Sequence, residues 1–203
     1  MAGAMTMHVF IGAGYFDQLW FVQERGFQRD EIAKLTGFMG LTGGVIGTFV
    51  GGLGSDLFTQ KTGYGRLAFL FLLLLACAPF MIAFRLASGD SIWIPIGLFL
   101  GMFQIGAFFG PFFASVQGLI PPEVRSTVIA FSILLMNVIG LGIGITLTGV
   151  AIDFMTAYGV DEPYSVTLLW FTVISLLLAM PCFLFAGLRY RRDQERLGLV
   201  ESE

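Results

Sequence analysis

Charge is what this sequence has least of. Only 12 % of its residues are Asp, Glu, Lys or Arg, against roughly 25 % in soluble domains. So few charges cannot cover a globule with solvated side chains, which excludes a water-soluble protein of this length. The net charge of −3 offers no basic face for nucleic acid. One His and two Cys are too few for a structural zinc site, which takes four ligands. Cys77 and Cys182 both lie in apolar runs, so no disulfide framework is implied. No Lys or Arg precedes Arg25, so the first apolar run lacks the basic start of a secretory signal peptide. The longest polar segment is the tail 189–203. There is no nucleophile–base–orienter set, and glycine-rich 52–56 is not followed by the Lys-Ser or Lys-Thr of a phosphate loop. The expectation is a protein without catalytic activity, cofactor or metal.

What the chain does have is apolar bulk and small residues. Hydrophobic residues make up 56 %, with 22 Phe and 27 Gly, and the mean hydropathy is +0.84. Read between the charges, six apolar stretches emerge, at about 3–22, 35–54, 67–84, 92–119, 127–152 and 166–188. A helix crosses the hydrocarbon core with ~20 residues, whereas a barrel strand needs only ~10. Lipid leaves no unpaired backbone unpenalised, so the pattern predicts an all-α membrane domain over 1–188 with six spans in a lipid bilayer. The tail 189–203 follows on the cytoplasmic side. Lys61, Arg66, Arg125, Arg189, Arg191, Arg192 and Arg196 fall on one side of such a topology. Arg25, Arg29, Lys34 and Arg85 fall on the other. The excess of basic residues puts the first side, with both termini, in the cytoplasm.

The spans differ in kind. The second carries eight glycines between Gly37 and Gly54, and Gly40, Gly44, Gly47, Gly51 and Gly54 form one helical stripe. Such a stripe lets another helix approach to backbone contact. The fifth has Asn137, Gly144 and Thr148 on one face; the fourth has Gln104, Phe108, Pro111 and Ser115. The third and sixth are nearly free of Gly, as lipid-facing helices are. Two interior-type helices followed by one lipid-type helix, twice over, suggest two three-helix units of inverted topology.

Asp17 is the one fully charged residue inside these stretches, and an acid in lipid is a functional candidate. His8 lies nine residues earlier, on the opposite helical face unless the helix breaks near Gly12 or Gly14; Tyr15 shares the face of His8. The amides of Gln104 and Asn137 need partners in lipid, and Phe108 and Phe112 flank the Gln104 face. His8, Tyr15, Gln104, Phe108, Phe112 and Asn137 are therefore candidates for the wall of a solute cavity, and Asp17, Asp56, Arg66 and Arg125 for coupling or gating.

Gly51-Gly52-Leu53-Gly54-Ser55-Asp56, followed by Gly63 and Arg66, resembles the cytoplasmic loop motif of the major facilitator superfamily. Leu57 stands where that motif usually has a basic residue, which leaves Lys61 or Arg66 to pair with Asp56. Gly110-Pro111, Val116-Gln117, Pro121-Pro122, Arg125, Asn137 and the run 139–144, together with Trp20, Glu24 and Arg25 in segment 15–26, resemble the spinster-like branch. Ile145 stands where that branch often has Pro. The resemblance implies the C-terminal six-span half of a twelve-span secondary transporter in a plasma membrane, the bacterial inner membrane. Such a protein binds a small organic solute between two halves, with or without proton coupling, and releases it by alternating access. The partner of this chain is then the N-terminal half, or a second copy. The competing expectation is a non-transporting six-helix assembly or receptor-like bundle.

Overall fold

A computed structural model describes residues 1–198. Every regular element among them is helical, and no strand is present. The chain opens with α1 (Ala2–Ala13), a 3₁₀ turn (Gly14–Phe16) and α2 (Asp17–Glu24). Next come α3 (Arg29–Phe49), a π-helical turn (Val50–Gly54) and α4 (Ser55–Thr62). α5 (Arg66–Arg85) and α6 (Trp93–Gln117) are uninterrupted. α7 (Arg125–Leu135), a second π-helical turn (Met136–Leu141) and α8 (Gly142–Ala157) form one long rod, and α9 runs Pro163–Arg196. Local chemistry explains the ends. Gln28 and Glu31 form a reciprocal box at the start of α3. α4 stops at Gly63, whose φ of +73° suits a residue without Cβ.

Five helices are long and apolar enough to cross a membrane among the described residues: Arg29–Thr62, Arg66–Arg85, Trp93–Gln117, Pro122–Ala157 and Pro163–Arg196. They correspond to five of the six expected stretches; four overrun the expected limits, and Trp93–Gln117 falls just short of 92–119 at both ends. The last continues through much of the expected tail, whose residues 199–203 lie outside the described part. The first stretch is different: the 3₁₀ turn divides it into α1 and α2, neither of spanning length on its own.

α6 packs along α3 and α5, α5 along α9, and α1 along α9, α8 and the second π turn. Glycine sets these approaches, because in lipid helices associate through close packing rather than through exclusion of water. A Cβ at Gly47 would overlap the Phe103 carbonyl of α6, one at Gly51 the Ala107 carbonyl, and one at Gly106 the Gly44 carbonyl. A Cβ at Gly144 would overlap the Val9 carbonyl of α1, and one at Gly12 would lie 2.7 Å from the Leu141 oxygen. The contact stripe of α3 is rotated from the expected one. Gly43, Gly47 and Gly51 are buried in it, whereas the Cβ direction of Gly40 meets only Met102 at 3.9 Å and that of Gly44 is open.

Burial reverses the expected contrast for the second and fifth spans, while the fourth, α6, is the most buried of the five at 39 %, as an interior-type helix should be. In the apolar stretches of Arg29–Thr62 and Pro122–Ala157, 17 % and 22 % of residues are buried, against 33 % for α5 and α9. α3 and the α7–α8 rod make narrow backbone contacts and leave a broad apolar face open, including Phe38, Leu41 and Phe49 on α3 and Phe131, Leu134 and Val138 on the rod. The helices poor in glycine pack through large side chains on several sides, Leu70, Leu74 and Met81 among them.

Candidate functional site: a cleft at a broken helix

The break at Gly14–Phe16 opens a cleft of about 300 Å³ between the α1–α2 junction, α3, α5 and α6. Its wall is apolar over most of its area (Phe10, Ile11, Met81, Leu98, Met102, Ile105) and polar at one end, where Tyr15, Asp17, Gln18, Thr36 and Arg85 meet. Gln18 Nε2 donates to Thr36 Oγ1 at 3.0 Å and ties α2 to α3 across this end.

Asp17 is not alone. Arg85, the last residue of α5, donates from Nη1 to Asp17 Oδ1 at 2.6 Å and from Nη2 to Oδ2 at 3.4 Å. Its Nε donates to Thr172 Oγ1 of α9 at 3.2 Å, and its guanidinium carbon lies 4.9 Å from the Phe84 ring centroid and 5.3 Å from that of Trp20. Arg85, counted in the sequence only among the basic residues at the span ends, is turned inward: its side chain is 2 % exposed and that of Asp17 21 %. The helix end carries Arg85 inward, where stacking on aromatic faces and a carboxylate satisfy a planar cation. A sequence window that stopped at residue 84 could not find this pair, because the partners are far apart in the chain.

A second polar cluster lies at the same end of the bundle. Glu24 accepts from the Tyr164 and Ser165 backbone amides at 2.7 and 2.8 Å, capping the first turn of α9 with a carboxylate from another helix. Ser165 Oγ donates to Glu24 Oε2 at 2.6 Å and accepts from Trp20 Nε1 at 2.8 Å and Arg25 Nη2 at 2.7 Å. Arg25 Nη1 also donates to Glu162 at 3.0 Å. That hydrogen bond is the largest influence and holds the Glu162 carboxyl below its ordinary value against the desolvation of burial, with lesser help from Ser165 and the Arg25 charge. The Arg25–Glu162 tie is thus fully present at neutral pH and is lost only as pH falls through the lowered value. Trp20, Glu24 and Arg25, singled out in the sequence as one segment, fasten α2 to α9.

The remaining candidates separate into three places. The 3₁₀ turn advances 120° per residue instead of 100°, and it divides Tyr15, 64 % exposed at the cleft, from His8, which is buried. His8 Nδ1 donates to the Ala4 carbonyl at 2.9 Å and the ring meets Phe108 and Phe109 edge-on. Gln104, Phe108 and Phe112 are also buried, in the packing of α6 against α1, α5 and α9, and Gln104 borders only a crevice of about 10 Å³. They line no cavity of solute size. Asn137 is exposed on the far rod and donates to its own Ile133 carbonyl at 2.9 Å. The π turn inserts an extra residue there and rotates Asn137 away from the face of buried Gly144 and Thr148. Among the described residues, the six candidates for a cavity wall, His8, Tyr15, Gln104, Phe108, Phe112 and Asn137, therefore do not meet in one cavity.

At the opposite end of the bundle Arg66 Nε donates to Asp56 Oδ1 at 2.6 Å, so Arg66, rather than Lys61, is the partner of the motif carboxylate. Arg125 Nε donates to the Ile120 carbonyl at 3.0 Å and closes the turn between α6 and α7.

No family model, no curated protein and no solved structure matches this chain. The chain is an all-helical protein with the apolar architecture of an integral membrane protein.

Proposed function

We propose that the chain is one six-span half of a secondary transporter of the major facilitator type, close to its spinster-like branch, moving a small organic solute by alternating access. The carrying observation is the cleft beside the 3₁₀ turn: a buried ion pair inside a membrane protein is costly and belongs where a cavity needs it. In this reading segment 2–24 is the first of the six spans, tightened by the 3₁₀ turn at Gly14–Phe16.

The neighbour pattern supports two inverted units. Exchanging α1, α3 and α5 with α6, α8 and α9 turns the α3–α6 contact into α8–α1 and the α5–α6 contact into α9–α1, and both are present. The open apolar faces of α3 and of the α7–α8 rod are where the N-terminal half, or a second copy, closes the cavity. The basic end faces the cytoplasm, with both termini there, in the bacterial inner membrane. No chemical step is assigned to any residue, and the chain acts without a cofactor.

Asp17 is the coupling residue in this reading, protonated on one side of the cycle and ionised against Arg85 on the other. Asp17→Asn keeps the shape and fixes the neutral state. In vesicles containing the two-halved transporter, the substitution is expected to flatten the pH dependence of solute flux while expression is retained. An unchanged rate, affinity and pH profile would make Asp17 a structural residue and remove the proton coupling from this half.

A further inference from the structure

We propose that the cleft takes an amphipathic amine, a protonated nitrogen on a compact apolar body; this names the solute class of the site above and rests on the transporter reading only for the step of movement. The ion pair at the cleft is a dipole with a fixed direction. Arg85 lies behind Asp17, 2 % exposed against 21 %. Each terminal nitrogen of the guanidinium gives one N–H to Asp17, its Nε donates to Thr172, and Trp20 and Phe84 pack against it, so the cation is held deep by these partners. An anion in the cleft would therefore meet the carboxylate before the guanidinium. A carboxylate has about four lone-pair positions, of which Arg85 takes two, so the remaining capacity is for a donor.

The neighbouring groups agree. Gln18 has committed its amide nitrogen to Thr36, which leaves its carbonyl oxygen as an acceptor. The exposed Tyr15 ring offers a π face to a cation. A volume near 300 Å³ is at the small end of ligand sites, and the apolar wall from Phe10 to Ile105 suits a compact hydrocarbon body.

Three isosteric probes separate the alternatives: 1-adamantanamine, 1-adamantanol and 1-adamantanecarboxylate, measured by equilibrium dialysis against the purified protein in maltoside micelles, with partition into empty micelles subtracted. The amine is expected to bind at least ~10-fold more tightly than the alcohol, a difference of about 1.4 kcal/mol, and the carboxylate most weakly. Asp17→Asn should erase the preference of amine over alcohol and leave alcohol binding in place. Gly101→Leu, which fills the cleft without touching the ion pair, should remove binding of both, and it serves as the deciding variant where Asp17→Asn does not fold. Tightest binding of the carboxylate, equal binding of all three, no binding at all, or an amine preference that survives Asp17→Asn would each overturn the assignment. Amine-selective binding with no solute movement in vesicles overturns the transporter reading and leaves this one standing; movement of solutes without amine selectivity does the reverse.

Discussion

Replacing Arg85 by methionine is expected to lower the stability of the protein by about 3–5 kcal/mol, because it leaves the Asp17 carboxylate in the bundle without its cation. The double substitution Asp17→Asn with Arg85→Met should recover most of that loss. A buried pair exchanged for groups of similar volume is often neutral, since the desolvation of two charges offsets their attraction. The measurement is thermal unfolding in maltoside micelles, followed by the fluorescence of Trp20, which packs on Arg85. Equal loss in the single and double variants would mean that Arg85 acts through its stacking on Trp20 and Phe84 instead of its charge. No loss in the single variant would place the pair in water.

Gly47→Leu should abolish folded yield, and Gly37→Leu should not. The two substitutions are chemically the same and lie on one helix. Overpacking against side chains costs about 1–3 kcal/mol, but at Gly47 the added atoms meet the Phe103 backbone of α6, which cannot rotate away. At Gly37 nothing lies within 4 Å of a Cβ, and replacing Gly by Leu inside a helix favours the helix by up to about 1 kcal/mol. The opposite signs are read as monodisperse protein recovered by size-exclusion chromatography. Loss at both positions, or at neither, would contradict the packing of α3 on α6.

The helices were legible because membrane insertion depends on long-range composition: a run of ~20 residues without charge is visible one residue at a time. The glycine stripe of α3 was legible to within one helical position, since i, i+4 spacing leaves the contact face uncertain by about 40°. The break at Gly14 was legible as a condition, because His8 and Asp17 could share a cavity only through it. What the break did was not. It exposed Tyr15 and left His8 in the core, and the π turn likewise moved Asn137 off its predicted face. An extra residue in a helix rotates everything after it, and no periodicity carried across the turn survives. Arg85 and the Glu24–Ser165 contact were invisible for another reason. Each joins elements far apart in sequence, and Arg85 sat just outside the apolar run, where a charge reads as the end of a span.

The central claim is that this chain moves an organic solute across a membrane. It is tested most directly by comparing the solutes retained by energised inside-out vesicles that contain the two-halved protein, with wild type or the cleft-filling Gly101→Leu in this half, each with and without an uncoupler. The account predicts at least one organic solute whose level differs between the two proteins and whose difference collapses with the uncoupler. Identical solute profiles, with the wild-type protein folded and inserted, would contradict it.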